Sequence, residues 1–219
     1  MNFLQISLTN RCNFSCWHCP MKEWRNSEPP RWPLSNAELI PFLEKYVTPH
    51  EWIIELTGGE PSLYPELPEL LDWLSVNGYR VVVKTNGSGN ILHHQNVVIV
   101  AAFHQLGNPP KNYDQVLIVD KIDREPKEAY CIAHSIPYQV IGYEKEVIDD
   151  VKHGFKWMAY INPAGHQVGC CARKIIENVK PDGVDYNRIS HRPLVVQAAC
   201  PQCKAATDCW RFMKDEWRC

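Results

Sequence analysis

Phe3-Leu4-Gln5-Ile6-Ser7-Leu8-Thr9-Asn10-Arg11-Cys12-Asn13-Phe14-Ser15-Cys16-Trp17-His18-Cys19-Pro20 is the stretch on which the reading of this chain turns. Its first six residues set Leu4, Ile6 and Leu8 against Phe3, Gln5 and Ser7, the two-residue period of a short β-strand. That strand delivers the chain straight into three cysteines, Cys12, Cys16 and Cys19. Packed this closely, the thiolates are too crowded to pair with one another. A structural zinc site takes four ligands, and the one imidazole nearby, His18, is wedged inside the motif. Iron–sulfur clusters are held by Cys thiolates. Three of them suit a 4Fe–4S cluster whose remaining iron stays open to a non-protein ligand, and an open position is a catalytic feature. A zinc knuckle, or thiols that are merely buried, is the other reading of this spacing.

Working outward, two more strand–loop–helix units follow. Ser35 with Glu38 three residues later forms a capping box that opens a helix through about residue 46, with Leu39, Phe42 and Leu43 on one face. Residues 52–57 read as a strand ending in Gly58-Gly59-Glu60-Pro61, and a helix over residues 66–76 stops at Gly78. Residues 80–85 read as a strand ending in Asn86-Gly87. Further strands are expected at 97–103, 115–119 and 138–141, with little helical sequence between the first two. Strands alternating with helices favour a parallel sheet. The expected fold is α/β: a partial, open parallel β/α barrel of about six strands with some crossovers shortened. Ligands gather at the strand carboxyl ends of such folds, where all three motif-bearing loops lie. From about residue 152 the pattern changes. Residues 156–161, a turn at Asn162-Pro163-Ala164-Gly165 and residues 166–170 read as a β-hairpin, followed by polar loop and a short helical tail near 204–213. The expected division is 1–152 and 153–219.

The segment Ser7 to Pro20, placed just after the first strand, resembles the radical S-adenosylmethionine (SAM) superfamily. The resemblance implies that Cys12, Cys16 and Cys19 hold a catalytic 4Fe–4S cluster whose open iron chelates the methionine moiety of SAM. One electron from the cluster then cleaves the C–S bond and yields a 5′-deoxyadenosyl radical. The residue before the third Cys is commonly aromatic in this family and packs near the adenine; His18 fills that place. Gly58-Gly59-Glu60 resembles the family's Gly-Gly-Glu motif, which would hold the SAM amino group. Its glycines let a backbone approach a ligand closely and leave N–H groups exposed, and its carboxylate can take an ammonium. Thr85 and Asn86, in Lys84-Thr85-Asn86-Gly87-Ser88, match a Thr-Asn-Gly segment of related enzymes and would face the SAM cavity; an Asn-Gly turn is the plainer reading. His104, after the fourth strand, would reach ribose or substrate, or be an ordinary loop histidine.

A second cysteine group comprises Cys170, Cys171, Cys200, Cys203, Cys209 and Cys219. It resembles the auxiliary-cluster tail called SPASM or, in shorter form, twitch. The chain offers too few cysteines for the two extra clusters of the full form, so one auxiliary 4Fe–4S cluster is expected. Its ligands would be Cys170 or Cys171 with Cys200, Cys203 and Cys209, and Cys219 in reserve; a zinc site is the alternative. Cys131 stands alone and reads as a buried, inert thiol.

Composition bounds the rest. The 219 residues are 45% apolar and 22% charged with net charge −2, which fits one α/β domain with a small appendage and excludes disordered and collagen-like chains. Apolar runs such as residues 97–103 are too short to cross a bilayer, and the start lacks the pattern of a secretory signal. A cytoplasmic protein with no membrane partner is expected, and ten cysteines in a reducing compartment argue for metal or catalysis. Charge is uneven: residues 1–150 hold 12 Lys and Arg against 19 Asp and Glu, and residues 151–219 hold 11 against 6. A basic tail offsets a thiolate-rich cluster or meets phosphate. The sequence thus points to a radical SAM enzyme with a flavodoxin- or ferredoxin-type electron donor. It would oxidise, cross-link or rearrange a peptide or small molecule. A second reading is a phage-type enzyme acting on a hypermodified nucleotide or DNA base. A third, of another class, is a zinc-stapled scaffold without catalysis.

Overall fold

Strand β1 (Asn2–Ser7) forms where the alternating stretch predicts it, and it becomes the middle of the sheet rather than an edge. The structure is a computed structural model and describes residues 1–16, 19, 25, 34–106, 108–119, 123–141, 157–162, 165, 167, 188–190, 193–194 and 197–198. After β1 come α1 (Asn36–Tyr46), β2 (Trp52–Thr57), a single 3-10 turn (Pro61–Leu63), α2 (Leu67–Val76) and β3 (Arg80–Thr85). Strands β4 (Val97–Ala102) and β5 (Gln115–Val119) follow without an intervening helix. Then come α3 (Arg124–Ala133), β6 (Tyr138–Ile141), β7 (Trp157–Ile161) and β8 (Gln197–Ala198).

The strands lie in the order β6-β5-β4-β3-β2-β1-β7-β8. All neighbours are parallel except β7 with β8. This is the expected open α/β sheet, with seven parallel strands and no closure. The trimmed crossover between β4 and β5 also matches expectation, and the connection from β3 to β4 carries no helix either. Residues 157–161 depart from it: their ladder is with β1, Phe3 facing Met158 and Ile6 facing Ile161. Ala159, Tyr160 and Ile161 are all buried, and a segment buried on both faces is better placed inside a parallel sheet than in an exposed hairpin. The predicted turn does form, with the Gly165 N–H donating to the Asn162 carbonyl at 2.9 Å and an antiparallel bridge between Ile161 and Gln167. The expected helix near 204–213 lies outside the described residues.

Helices α1 and α2 cover one face of the sheet. Leu39, Phe42 and Leu43 of α1 and Leu67, Leu70, Leu71 and Leu74 of α2 pack on Leu4, Ile6, Ile54, Leu56, Val81, Val83 and Ile99. The capping box does not close: Ser35 is the N-cap of α1 but makes no side-chain cap bond. Glu66 takes that place, its carboxylate accepting from the Asn36 N–H at 2.6 Å, while Glu38 pairs instead with Arg188. Strong charge partners outcompete a local hydroxyl. At the end of α2, Tyr79 N–H reaches Leu74 O at 2.9 Å, the Schellman closure that Gly78 predicts. Leu70→Ala should cost about 2–5 kcal/mol, because this fully buried side chain sits between helix and sheet; urea unfolding measures it. Among the described residues no helix is long and apolar enough to cross a membrane.

Alternation places odd residues of β1 and β2 and even residues of β3 on the opposite face, away from the helices. The carboxyl ends of β1, β2 and β3 carry the three motif loops side by side.

Candidate active site

The Gly-Gly-Glu turn and the cysteine loop are joined backbone to backbone. Gly59 N–H donates to Thr9 O at 2.6 Å, Glu60 N–H to Arg11 O at 2.7 Å, and Leu8 N–H to Thr57 O at 2.9 Å. The Gly59 and Glu60 N–H groups are therefore taken by the cysteine loop rather than exposed to a ligand as the sequence suggests. The glycines are needed for this approach. Gly58 sits at φ +145, and a Cβ there would lie 2.5 Å from Thr9 O; one on Gly59 would lie 2.1 Å from Arg11 O. Any side chain would push the two loops apart.

Glu60 is fully buried. One carboxylate oxygen accepts from Thr85 Oγ1 at 2.6 Å, Ser62 Oγ at 2.7 Å and Ser62 N–H at 3.1 Å, and the other from Asn86 N–H at 2.7 Å. In this arrangement the carboxylate latches the end of β2 to the Thr-Asn-Gly loop after β3. Asn86 carries the connection on: its amide donates to Asn13 Oδ1 at 2.8 Å and lies 3.9 Å from Cys12 Sγ, while Asn13 donates to Ser88 Oγ at 2.7 Å. Thr85 and Asn86 thus meet the cysteine loop through Glu60 and Asn13. Asn13 and Ser88 escape sequence reasoning. Their types are common in turns, and only the loop-to-loop contact gives them a role.

Cys12, Cys16 and Cys19 are each half-buried. Phe14 N–H points at Cys12 Sγ from 3.5 Å. His104 Nδ1 stands 3.4 Å from Cys16 Sγ and its ring meets Phe14 edge-on at 5.7 Å, so the predicted histidine is brought to the cysteine loop. Burial pushes the Cys12 thiol up, with Glu60 and Cys19 adding to the rise against the Phe14 N–H and the Asn86 amide. Burial also raises Cys16, helped by Cys12 and Cys19 and opposed by Arg25. Cys12 and Cys16, whose ionisation burial opposes, call for a strongly cationic body beside them to be held as thiolates. Among the described residues no three Cys, His, Asp or Glu side chains converge on a single-ion position. The fit to an iron–sulfur cluster rests on the donor set: three mutually coupled sulfurs on one loop, with N–H donors directed at sulfur.

Lys127 is a second feature the sequence reading missed. It is 1% exposed on α3, with its ammonium 5.9 Å from the centre of the Phe103 ring. Burial lowers its pKa, while Asp123 and Cys16 act the other way. Lys127 and Cys131, four residues apart, are the buried residues of α3, a spacing visible in the sequence. Cys131 is fully buried against Phe103, Val116 and Ile118, as expected. His18, Cys170, Cys171, Cys200, Cys203, Cys209 and Cys219 lie outside the described residues.

Comparison with known proteins agrees with this geometry. Residues 6–93 match the family model described as Radical SAM superfamily. An 82-residue segment is 37% identical to 7-carboxy-7-deazaguanine synthase of Halobacterium salinarum, covering 36% of this chain and 30% of that protein. An 87-residue segment is 34% identical to the mitochondrial GTP 3′,8-cyclase of Arabidopsis thaliana, covering 39% of this chain and 22% of that protein. The match thus spans less than a third of either relative. Among solved structures, Streptococcus suis SuiB bound to S-adenosylmethionine superposes with a TM-score of 0.53 over 81% of this chain and 62% of that one, at 11% identity, a likeness of fold.

Proposed function

We propose that the radical SAM superfamily domain carried by residues 6–93 makes this chain an enzyme that reductively cleaves SAM and abstracts hydrogen from a small heterocycle of the 6-oxopurine type, free or as its nucleotide. The observation that carries the first part is the three-thiol loop clamped by the Gly-Gly-Glu turn. Cys12, Cys16 and Cys19 would hold a 4Fe–4S cluster, which when bound supplies the electron and the open coordination site for SAM. Gly58 and Gly59 set the height of the loop above the sheet. Glu60, with both oxygens engaged inside the protein, fixes Thr85 and Asn86 beside it. His104 and Phe14 wall the Cys16 side. His18 would lie against the adenine.

The substrate class draws support from the printed names of the sequence relatives, a deazaguanine synthase and a GTP cyclase. The spacing of Cys170 or Cys171 with Cys200, Cys203 and Cys209 supports one auxiliary 4Fe–4S cluster in a region over residues 153–219, whose first strand is β7. A flavodoxin- or ferredoxin-type protein of the cytoplasm would supply the electron.

Anaerobic protein given dithionite and SAM should release 5′-deoxyadenosine and methionine, and carry about eight irons per chain. Protein that binds zinc and leaves SAM intact would refute the proposal. A preparation that cleaves SAM with only about four irons would remove the auxiliary cluster alone.

A further inference from the structure

Two thiols of the cysteine loop sit in contrasting surroundings. Cys12 lies in the field of the buried Glu60 carboxylate, with the Phe14 N–H and the Asn86 amide directed at its sulfur. Positive charge gathers instead on the Cys16 side. The Arg25 guanidinium donates to the Cys16 carbonyl at 3.4 Å, and His104 Nδ1 stands 3.4 Å from the Cys16 sulfur. Arg25 and Lys127 both share an electrostatic field with this thiol.

Lys127 has no part in the reaction proposed above, yet it is 1% exposed on α3 with its ammonium 5.9 Å from the centre of the Phe103 ring. Phe103 is fixed by its N–H bond to Leu117 O at 2.9 Å, and the next residue, His104, is the one that meets Cys16. Cys131, one helical turn beyond Lys127, packs with Phe103, Val116 and Ile118. A methionine at position 127 would suit that apolar setting without the cost of burying a charge. The ring face of Phe103 offsets only part of this cost. What the charge can do there is electrostatic. Potentials of iron–sulfur clusters follow the net charge, hydrogen bonding and exposure around them, and a charge in a water-poor interior is weakly screened.

We infer that Lys127 is a positioning residue for electron transfer, its buried ammonium acting through Cys16 to raise the reduction potential of the 4Fe–4S cluster held by Cys12, Cys16 and Cys19. This rests on the proposed radical SAM function and deepens it by naming what eases the first electron into the site. The couple is a single electron: the donor protein is oxidised as the cluster is reduced, and a fixed cation favours the more negative form. The charge acts through space, whatever hydrogen bonds the ammonium makes.

The test is a redox titration of the anaerobic, cluster-loaded protein, followed by electron paramagnetic resonance. The signal missing from Cys16→Ala identifies the couple. Lys127→Met and Lys127→Gln should each lower the midpoint by at least about 59 mV, a tenfold change in a one-electron equilibrium. Lys127→Arg, which keeps the charge, should stay within about threefold of the unaltered protein, on the same conversion. Lys45→Met removes an exposed cation of α1 and should leave the midpoint in place. Iron content and thermal unfolding confirm that each variant is folded and loaded, and the second neutral variant decides if the first is not. An unchanged or raised midpoint in the neutral variants, or an equal fall in Lys127→Arg, would overturn the inference and leave SAM cleavage untouched. Unaltered protein that assembles no cluster on Cys12, Cys16 and Cys19 would overturn the radical SAM reading itself, so the two failures are distinguishable.

Discussion

Replacing Cys16 by Ala is expected to reduce 5′-deoxyadenosine formation to background and to remove about four irons per chain, one cluster's worth. Two thiolates on a short loop cannot retain a cluster that already relies on only three protein ligands. The thiols also depend on one another: Cys12 lies in the field of Cys19, Cys16 in that of Cys12 and Cys19, and burial opposes the ionisation of both Cys12 and Cys16. Losing one therefore weakens the rest. Cys131→Ala is the matched control. That thiol is fully buried in a separate apolar cluster with Phe103, Val116 and Ile118, so its removal should lower stability by about 1 kcal/mol and leave iron content unchanged. Iron analysis and product chromatography on both variants make the comparison. Full iron in Cys16→Ala would remove that residue from the ligand set.

Gly59→Ala should do nearly as much damage without touching a ligand. The added methyl would lie 2.1 Å from the Arg11 carbonyl oxygen and 2.6 Å from its carbon. Both are backbone atoms, held by the Glu60 N–H bond to that same oxygen, so no side chain can swing aside. The loops must separate, breaking the 2.6 and 2.7 Å bonds from Gly59 and Glu60. A loss of about 3 kcal/mol or more is expected, together with a cysteine loop that no longer assembles its metal centre. Gly78→Ala is the useful contrast. Its added carbon meets only His50 at 3.7 Å, leaving the strain of its positive φ alone, about 1 kcal/mol. Denaturant unfolding and iron content report the two effects. Equal stability of the two variants would show that the clamp is not rigid.

Much of the fold was legible because local signals agreed. The alternating residues of β1, the apolar faces of α1 and α2, and a turn motif at the end of each early strand all point to one parallel sheet. The short crossover from β4 to β5 was visible as a lack of helical sequence. The place of residues 157–161 was not. A hairpin turn at Gly165 and a sheet partner more than 150 residues away compete for the same strand, and only burial on both faces decides in favour of β1. The capping box failed for a related reason: Glu38 found Arg188, 150 residues along the chain.

Of the site, the residues were legible and their partners were not. Motif spacing singled out Cys12, Cys16, Cys19, Gly58, Gly59 and Glu60, and it suggested that the turn's N–H groups and carboxylate await a ligand. In the folded chain those groups hold the cysteine loop and the Thr-Asn-Gly loop together. Lys127 and Asn13 depend on helix docking or on contact between distant loops, which no local pattern records.

The most direct measurement is the electron paramagnetic resonance spectrum of the anaerobically reduced protein, with and without SAM bearing isotopic labels on its amino nitrogen and carboxylate oxygen. The account predicts a reduced 4Fe–4S signal that shifts when SAM is added, with hyperfine coupling from the labelled atoms. An unshifted signal without that coupling, or a cluster whose fourth iron is bound by a side chain, would contradict it.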